Sequence, residues 1–122
     1  MVSADKRMLL TLVKGVFMIN ELTDNDFHQE VEKSEIPYVV DFWAIWCAPC
    51  SLIAQALEEL AKDYDGKIKV GKVNVDNEIK TANEFTIQNI PTIIIFKNGK
   101  EVDRIIGAVP KTHIVKKLKE YL

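Results

Sequence analysis

Long apolar runs are missing from this 122-residue chain, and so is any excess of charge of one sign. No stretch approaches the roughly 20 apolar residues a membrane-spanning helix needs, which argues against a membrane protein. Sixteen basic and 18 acidic residues leave a formal charge of −2, so neither nucleic acid nor an anionic lipid surface is indicated as a partner. There is no internal repeat, low-complexity tract or linker. Cysteine is scarce: the two present, Cys47 and Cys50, are too few for the disulfide framework of a small secreted domain. Their tight spacing points to redox chemistry or metal instead. What remains, 48% hydrophobic and 28% charged residues, is the composition of an ordinary globular domain long enough to bury a core.

Residues 1–17 stand apart. Lys6 and Arg7 precede the apolar stretch Met8 to Val13, but Lys14 cuts it short and no small-x-small cleavage site follows. A short amphipathic helix or a disordered tail is expected there rather than a secretory leader, with residues 18–122 forming the domain proper. Met18 is an alternative start.

The organising stretch is Tyr38 to Ser51, Y-V-V-D-F-W-A-I-W-C-A-P-C-S. Tyr38 to Trp43 is apolar on both faces apart from Asp41, as in a central strand covered on both sides. From Pro49, Leu52, Ile53, Ala56, Leu57, Leu60 and Tyr64 recur at helical spacing, and Gly66 suits a left-handed cap. Ile68 to Val75 predicts a second inner strand, so strand, helix and strand make a right-handed parallel crossover. Upstream, Val16 to Ile19 fits a short strand, and Thr23 fits the cap of a helix carrying Phe27 and Val31. Downstream, Asp76 or Asn77 is expected to cap a short helix with Ile79, Ala82 and Phe85 facing inward. Thr92 to Phe96, Asn98-Gly99 and Lys100 to Ile106 predict an antiparallel hairpin. Pro110 fits the first turn of a final helix whose inner face is Ile114, Val115, Leu118 and Leu122. The fold class is therefore α/β: a central mixed sheet, part parallel crossover and part C-terminal hairpin, with helices on both faces.

Cys47 stands just before a helix, where unpaired N–H groups and the helix dipole stabilise a thiolate. Pro49 loses no hydrogen bond in the first turn. Cys50, one turn on, can close a disulfide and is less accessible, which makes Cys47 the attacking thiol and Cys50 the resolving one. Asp41 carries a charge that is costly to bury, so its pKa is expected to rise, fitting it to move protons for the thiols. Lys72, the one charged residue within Val70 to Val75, is its candidate partner; an edge position or a structural ion pair is the plainer alternative for Asp41. The segment Gly66 to Val73 fails as a phosphate-binding loop because Val73 stands where a hydroxyl is required. His28 and His113 are remote from the cysteines in sequence and read as exposed helix residues rather than zinc ligands.

At these residues the sequence resembles the thioredoxin family. The motifs are V-D-F-W-A-x-W-C-x-P-C around Asp41 to Cys50, Lys72 before N-V-D, I-P-T at 90–92, F-K-N-G at 96–99 and Gly107-Ala108, agreeing in order and spacing over about residues 18–122. Thioredoxins are themselves standard examples of C-x-x-C thiols with lowered pKa. The resemblance implies the thioredoxin fold and a protein-disulfide reductase with no bound cofactor. The Cys47–Cys50 disulfide would be recycled by a thioredoxin reductase, with NADPH held only by that partner. It further implies a cis Ile90–Pro91 bond, Pro91 beside the cysteines, and a substrate groove of Trp46, Ala48, Pro49, Ile90, Pro91, Gly107 and Ala108. Disulfide-containing proteins are the expected substrates, and a cytoplasmic monomer the expected form.

Several positions depart from the family pattern. Ala48 replaces glycine, Ser51 a basic residue, Gln55 a helix-kinking proline, and Ile45 a more polar neighbour of Trp46, while Pro110 replaces a hydroxyl cap. A straighter helix and a more apolar rim follow. Two further functions share the fold: a binding subunit or holdase in which the cysteines are incidental, and an oxidase or isomerase of an oxidising compartment. The lack of a basic or histidine-containing dipeptide between the cysteines favours the reductase over the latter.

Overall fold

The computed structural model describes residues 19–122, so the N-terminal extension lies outside the described residues. The chain runs β1 (Ile19–Glu21), α1 (Phe27–Glu32), β2 (Tyr38–Trp43), α2 (Ala48–Asp63), β3 (Lys69–Asn74), α3 (Ile79–Glu84), β4 (Thr92–Lys97), β5 (Lys100–Ile106) and α4 (Lys111–Leu118), with a 3₁₀ turn at Lys119–Tyr121. The five strands stand in the order β1-β3-β2-β4-β5. β2 pairs parallel with β3 and antiparallel with β4, so the crossover unit and the hairpin meet along one central strand.

The period-two alternation of strands assigns every side chain of β2 to a face. Val39 joins Ile93, Ile95 and Ile105 beneath Ile53, Leu57 and Leu60 of α2 and Ile114 and Leu118 of α4. Tyr38, Val40 and Phe42 join Ile94 and Phe96 beneath Phe27 and Val31 of α1, with Phe85 packed alongside. Burying a side chain of this size contributes about 1.5–3 kcal/mol, which explains why the strands carry the apolar runs. On β3, Gly71 faces the second cluster, where an added Cβ would lie 2.7 Å from Leu22 Cδ1 and 2.9 Å from Tyr38 Cε1. Any larger residue there would force those two side chains to shift.

The turn at Asn98-Gly99 has φ of 55° and 79°, the doubly left-handed geometry that joins two-residue hairpins. Other local expectations need correction. The first described strand is Ile19–Glu21; of the expected strand Val16–Ile19, residues 16–18 lie outside the described residues. Thr23 does not cap α1 with its side chain; its N–H donates to Asp26 Oδ1 at 2.7 Å, and the helix starts at Phe27. The α3 helix begins after Glu78 rather than at Asp76 or Asn77, and Pro110 precedes α4 instead of entering its first turn. Leu52, Ile79 and Leu122, expected on inner faces by spacing, are exposed: the helices carrying Leu52 and Ile79 bury a narrower stripe than the apolar spacing covers, and Leu122 lies beyond the end of α4. α2 is continuous from Ala48 to Asp63.

Candidate active site

The loop leaving the C-terminal end of β2 delivers both cysteines to the start of α2. Cys47 is the N-cap, with extended backbone (φ −90°, ψ 102°), and Pro49 occupies the second helical position. Cys47 N–H donates to Ala44 O at 3.2 Å, and Cys50 N–H to Cys47 O at 3.2 Å. One helical turn sets their Cα atoms 5.4 Å apart, and the two sulfurs are joined as a disulfide. Cys47 is 8% exposed and Cys50 4%: both are mostly covered, and the more accessible one is the helix cap. They pack with Ala44, against Trp43, Val75 and Ile90.

Ile90 reaches the cysteines from the loop before β4, and the Ile90–Pro91 peptide is cis. Pro91 O accepts from Gly107 N–H at 2.8 Å, which brings the end of β5 to the same edge. Ala48 and Pro49 are exposed on the first turn of α2, as is Ala108 after β5. Trp46 is 70% exposed, with its Nε1–H donating to Asp76 Oδ2 at 2.9 Å. The expected groove residues thus share one edge of the sheet. Asp76, assigned above to a helix cap, is the residue sequence reasoning missed. Its signal lies in the parallel register: Trp43 opposite Asn74 sets Asp76 level with the cysteine loop.

Asp41 lies in β2 directly opposite Lys72 of β3, and both share the face of Val39 and Val70 under α2. Its side chain is 2% exposed, and Oδ1 has no hydrogen-bond partner among the described residues. Burial therefore dominates, lifting its pKa to about 7, while the nearby Lys72 charge acts in the opposite direction. The expected Asp41–Lys72 ion pair does not form. Lys72 Nζ instead pairs with Glu21 Oε1 at 3.3 Å and lies 5.1 Å from the Trp43 ring centroid. Register brings the two residues together, but the flexible lysine stem carries its head toward the sheet edge and water. Asp41, Trp43, Ala44, Ile45, Cys47, Cys50, Ser51, Ala54 and Lys72 line a cleft of about 250 Å³.

His28 and His113 are both exposed. His28 bridges Glu32 (2.9 Å) and Glu84 (2.7 Å) across α1 and α3, remote from the cysteines in the fold, and these carboxylates hold its pKa above the usual value against a smaller effect of burial. Among the described residues no cluster of three or more His, Cys, Asp or Glu side chains is placed to hold a metal, and no helix is long and apolar enough to cross a membrane.

A strand-borne C-x-x-C pair, closed as a disulfide at a helix N-terminus beside a buried acid, defines a thiol-disulfide oxidoreductase. The thioredoxin family model matches residues 18–120, and the chain belongs to the thioredoxin family. It is 48% identical to thioredoxin 1 of Nostoc sp. over 102 residues, covering 84% of this chain and 95% of that protein. It is likewise 48% identical to a thioredoxin of Griffithsia pacifica over 104 residues, covering 85% and 95% respectively. A chloroplastic M-type thioredoxin of Pisum sativum is 42% identical over 118 residues, covering 97% of this chain and 69% of that one. The chain is a disulfide-reducing oxidoreductase of the thioredoxin type, with the cysteine pair as redox centre and no bound cofactor. The incidental-cysteine binding module is not favoured.

Proposed function

We propose that residues 18–122 act as one monomeric domain that reduces disulfides in protein substrates and is re-reduced by a thioredoxin reductase, whose NADPH supplies the electrons. The observation that carries the assignment of roles is the position of Cys47 as the N-cap of α2, with Cys50 one turn inside. When the pair is reduced, the helix terminus stabilises the Cys47 thiolate. That thiolate attacks one sulfur of a substrate disulfide; the substrate S–S bond breaks and the departing thiolate takes up a proton. Cys50 then loses its proton, attacks the Cys47 sulfur of the mixed disulfide and releases the second substrate thiolate. Two electrons pass to the substrate, two protons follow, and the Cys47–Cys50 disulfide closes.

Asp41, with its pKa held at about 7, accepts the Cys50 proton and returns it to a leaving thiolate. Lys72, opposite Asp41 in register, biases that acid toward its charged form. Substrate polypeptide lies across Trp46, Ala48, Pro49, Ile90, Pro91, Gly107 and Ala108, with the Ile90 backbone pairing it as an added strand. A reducing compartment is required to keep the dithiol charged with electrons, and we place the protein in the cytoplasm; the chloroplastic relatives make the stroma the second location.

The test is capture. Cys50→Ser should accumulate a covalent adduct through Cys47 with a disulfide-bearing protein, and wild type should consume NADPH only when thioredoxin reductase is added. Adducts formed by Cys47→Ser instead would reverse the roles, and NADPH consumption unchanged by the reductase would remove that partner.

A further inference from the structure

The cleft of about 250 Å³ opens beside the disulfide; Asp41, Lys72 and the two cysteines among its lining act in the steps above, but nothing in those steps occupies the cleft itself. Its walls are mainly carbon and sulfur: the Trp43 ring, Ala44, Ile45, Ala54 and the two cysteines. The polar members are committed elsewhere. Ser51 Oγ donates to Ala48 O at 2.8 Å, and Lys72 is drawn aside by Glu21 and the Trp43 ring. Ile45 stands at the rim, 82% exposed and two positions before Cys47. An isoleucine in open water beside a reactive sulfur gains nothing for the fold, because it buries almost no area. Its surface becomes useful only when another chain is seated on Cys47.

Such a chain is guaranteed by the chemistry. In the mixed disulfide, substrate backbone must leave its cysteine in two directions. One leads over Ile90 and Gly107; the other leads toward Ile45 and the cleft. We propose that this cleft is a side-chain subsite, taking the aliphatic side chain of leucine or isoleucine size that neighbours the attacked cysteine in a substrate protein. A charged side chain is disfavoured, because Asp41 and Lys72 lie opposite one another and the rim of Ile45, Ser51 and Ala54 carries no charge. An aliphatic occupant displaces weakly held water from apolar walls, which favours binding. The subsite rests on Cys47 being the attacking thiol, since only then does the substrate cysteine sit at the mouth of the cleft.

The experiment compares two disulfide peptides, one with leucine and one with glycine on both sides of its cysteine, reduced in single turnover by the full chain freshly reduced with a chemical thiol. Wild type should reduce the leucine peptide about five- to tenfold faster. The ratio should fall to within about twofold in Ile45→Asp, which charges the rim, and in Ala54→Phe, which fills the cleft from α2. Leu122→Asp, an exposed leucine at the C-terminus, should keep the wild-type ratio. Equal wild-type rates, or a preference that survives both cleft variants, would overturn the subsite alone. A Cys47→Ser variant that still forms an adduct with the leucine peptide would overturn the attacking-thiol assignment beneath it.

Discussion

Asp24 and Asp41 are two carboxylates near the two ends of one polypeptide segment, and they are treated oppositely. Asp24 receives the Thr81 hydroxyl at 2.6 Å, the Thr81 N–H at 2.8 Å and the Lys80 N–H at 3.4 Å, so it anchors the start of α3 from a distant part of the chain. The Thr81 hydroxyl leads in holding its pKa below the ordinary value, against the smaller effect of burial. Asp41 receives no bond at Oδ1 and has a raised pKa. Two residues further along β2, Trp43 Nε1 is likewise buried without a partner among the described residues. Both orphaned groups lie beside the cysteines. The same side chain anchors a helix where donors surround it and keeps a raised pKa where they are withheld, and the fold sacrifices stability at the second location.

The largest effect should come from Asp41→Asn. Asp41 binds a proton more tightly in the folded state, so wild-type stability falls as pH rises from about 4 to 7, and the penalty is complete above 7. A shift from 3.8 to about 7 corresponds to at most about 4 kcal/mol. Denaturant titrations should therefore show the variant more stable at pH 8, by about 2–4 kcal/mol, and close to wild type at pH 4. Its disulfide exchange at pH 7 should be slowed about tenfold or more. Lower stability than wild type at pH 8, with unchanged exchange, would break the contrast with Asp24.

Asp24→Ala should do the reverse. Loss of its three donors is expected to lower the thermal midpoint by about 4–8 °C while exchange kinetics stay at the wild-type rate. A midpoint unmoved by the change would show that the α3 tether adds nothing. The smallest effect is expected for Trp43→Phe, which removes a buried donor that has no acceptor. Stability should change by less than about 1 kcal/mol, although an aromatic ring system is truncated, because the loss of packing is offset by removing the orphaned N–H. A loss of several kcal/mol in denaturant titration would mean that the indole N–H is satisfied in solution.

The sequence carries these two aspartates unequally. Asp41 is legible because a charge inside Val-Val-Asp-Phe-Trp conflicts with its surroundings, and conflict of that kind marks a functional position. Asp24 is not legible, since its partners Lys80 and Thr81 lie more than fifty positions away and nothing local signals them. Thr23 is misread as a cap for a related reason: three residues downstream, Asp26 competes for the same turn, and its carboxylate takes the Thr23 N–H. The cysteine pair, the hairpin and the central strand follow from local pattern. The destination of the Lys72 head does not, because register constrains Cα positions while four methylenes decide where the ammonium rests. Leu52 and Ile79 show a similar limit: apolar spacing gives a helix its face but not the width of what covers it.

The position of β2 between a parallel and an antiparallel neighbour has a consequence for synthesis. The strand that delivers the cysteines is made before its antiparallel neighbour β4 and before β5 beyond it, which are followed only by α4 and the 3₁₀ turn among the described elements. A ribosome adding roughly 5–20 residues per second exposes Cys50 some 3–11 s before Ile106 follows. Through that interval the growing chain carries two thiols without the Ile90 side chain that packs on them, or the Pro91–Gly107 hydrogen bond next to it. Newly made molecules thus hold both cysteines uncovered on that side until the hairpin docks.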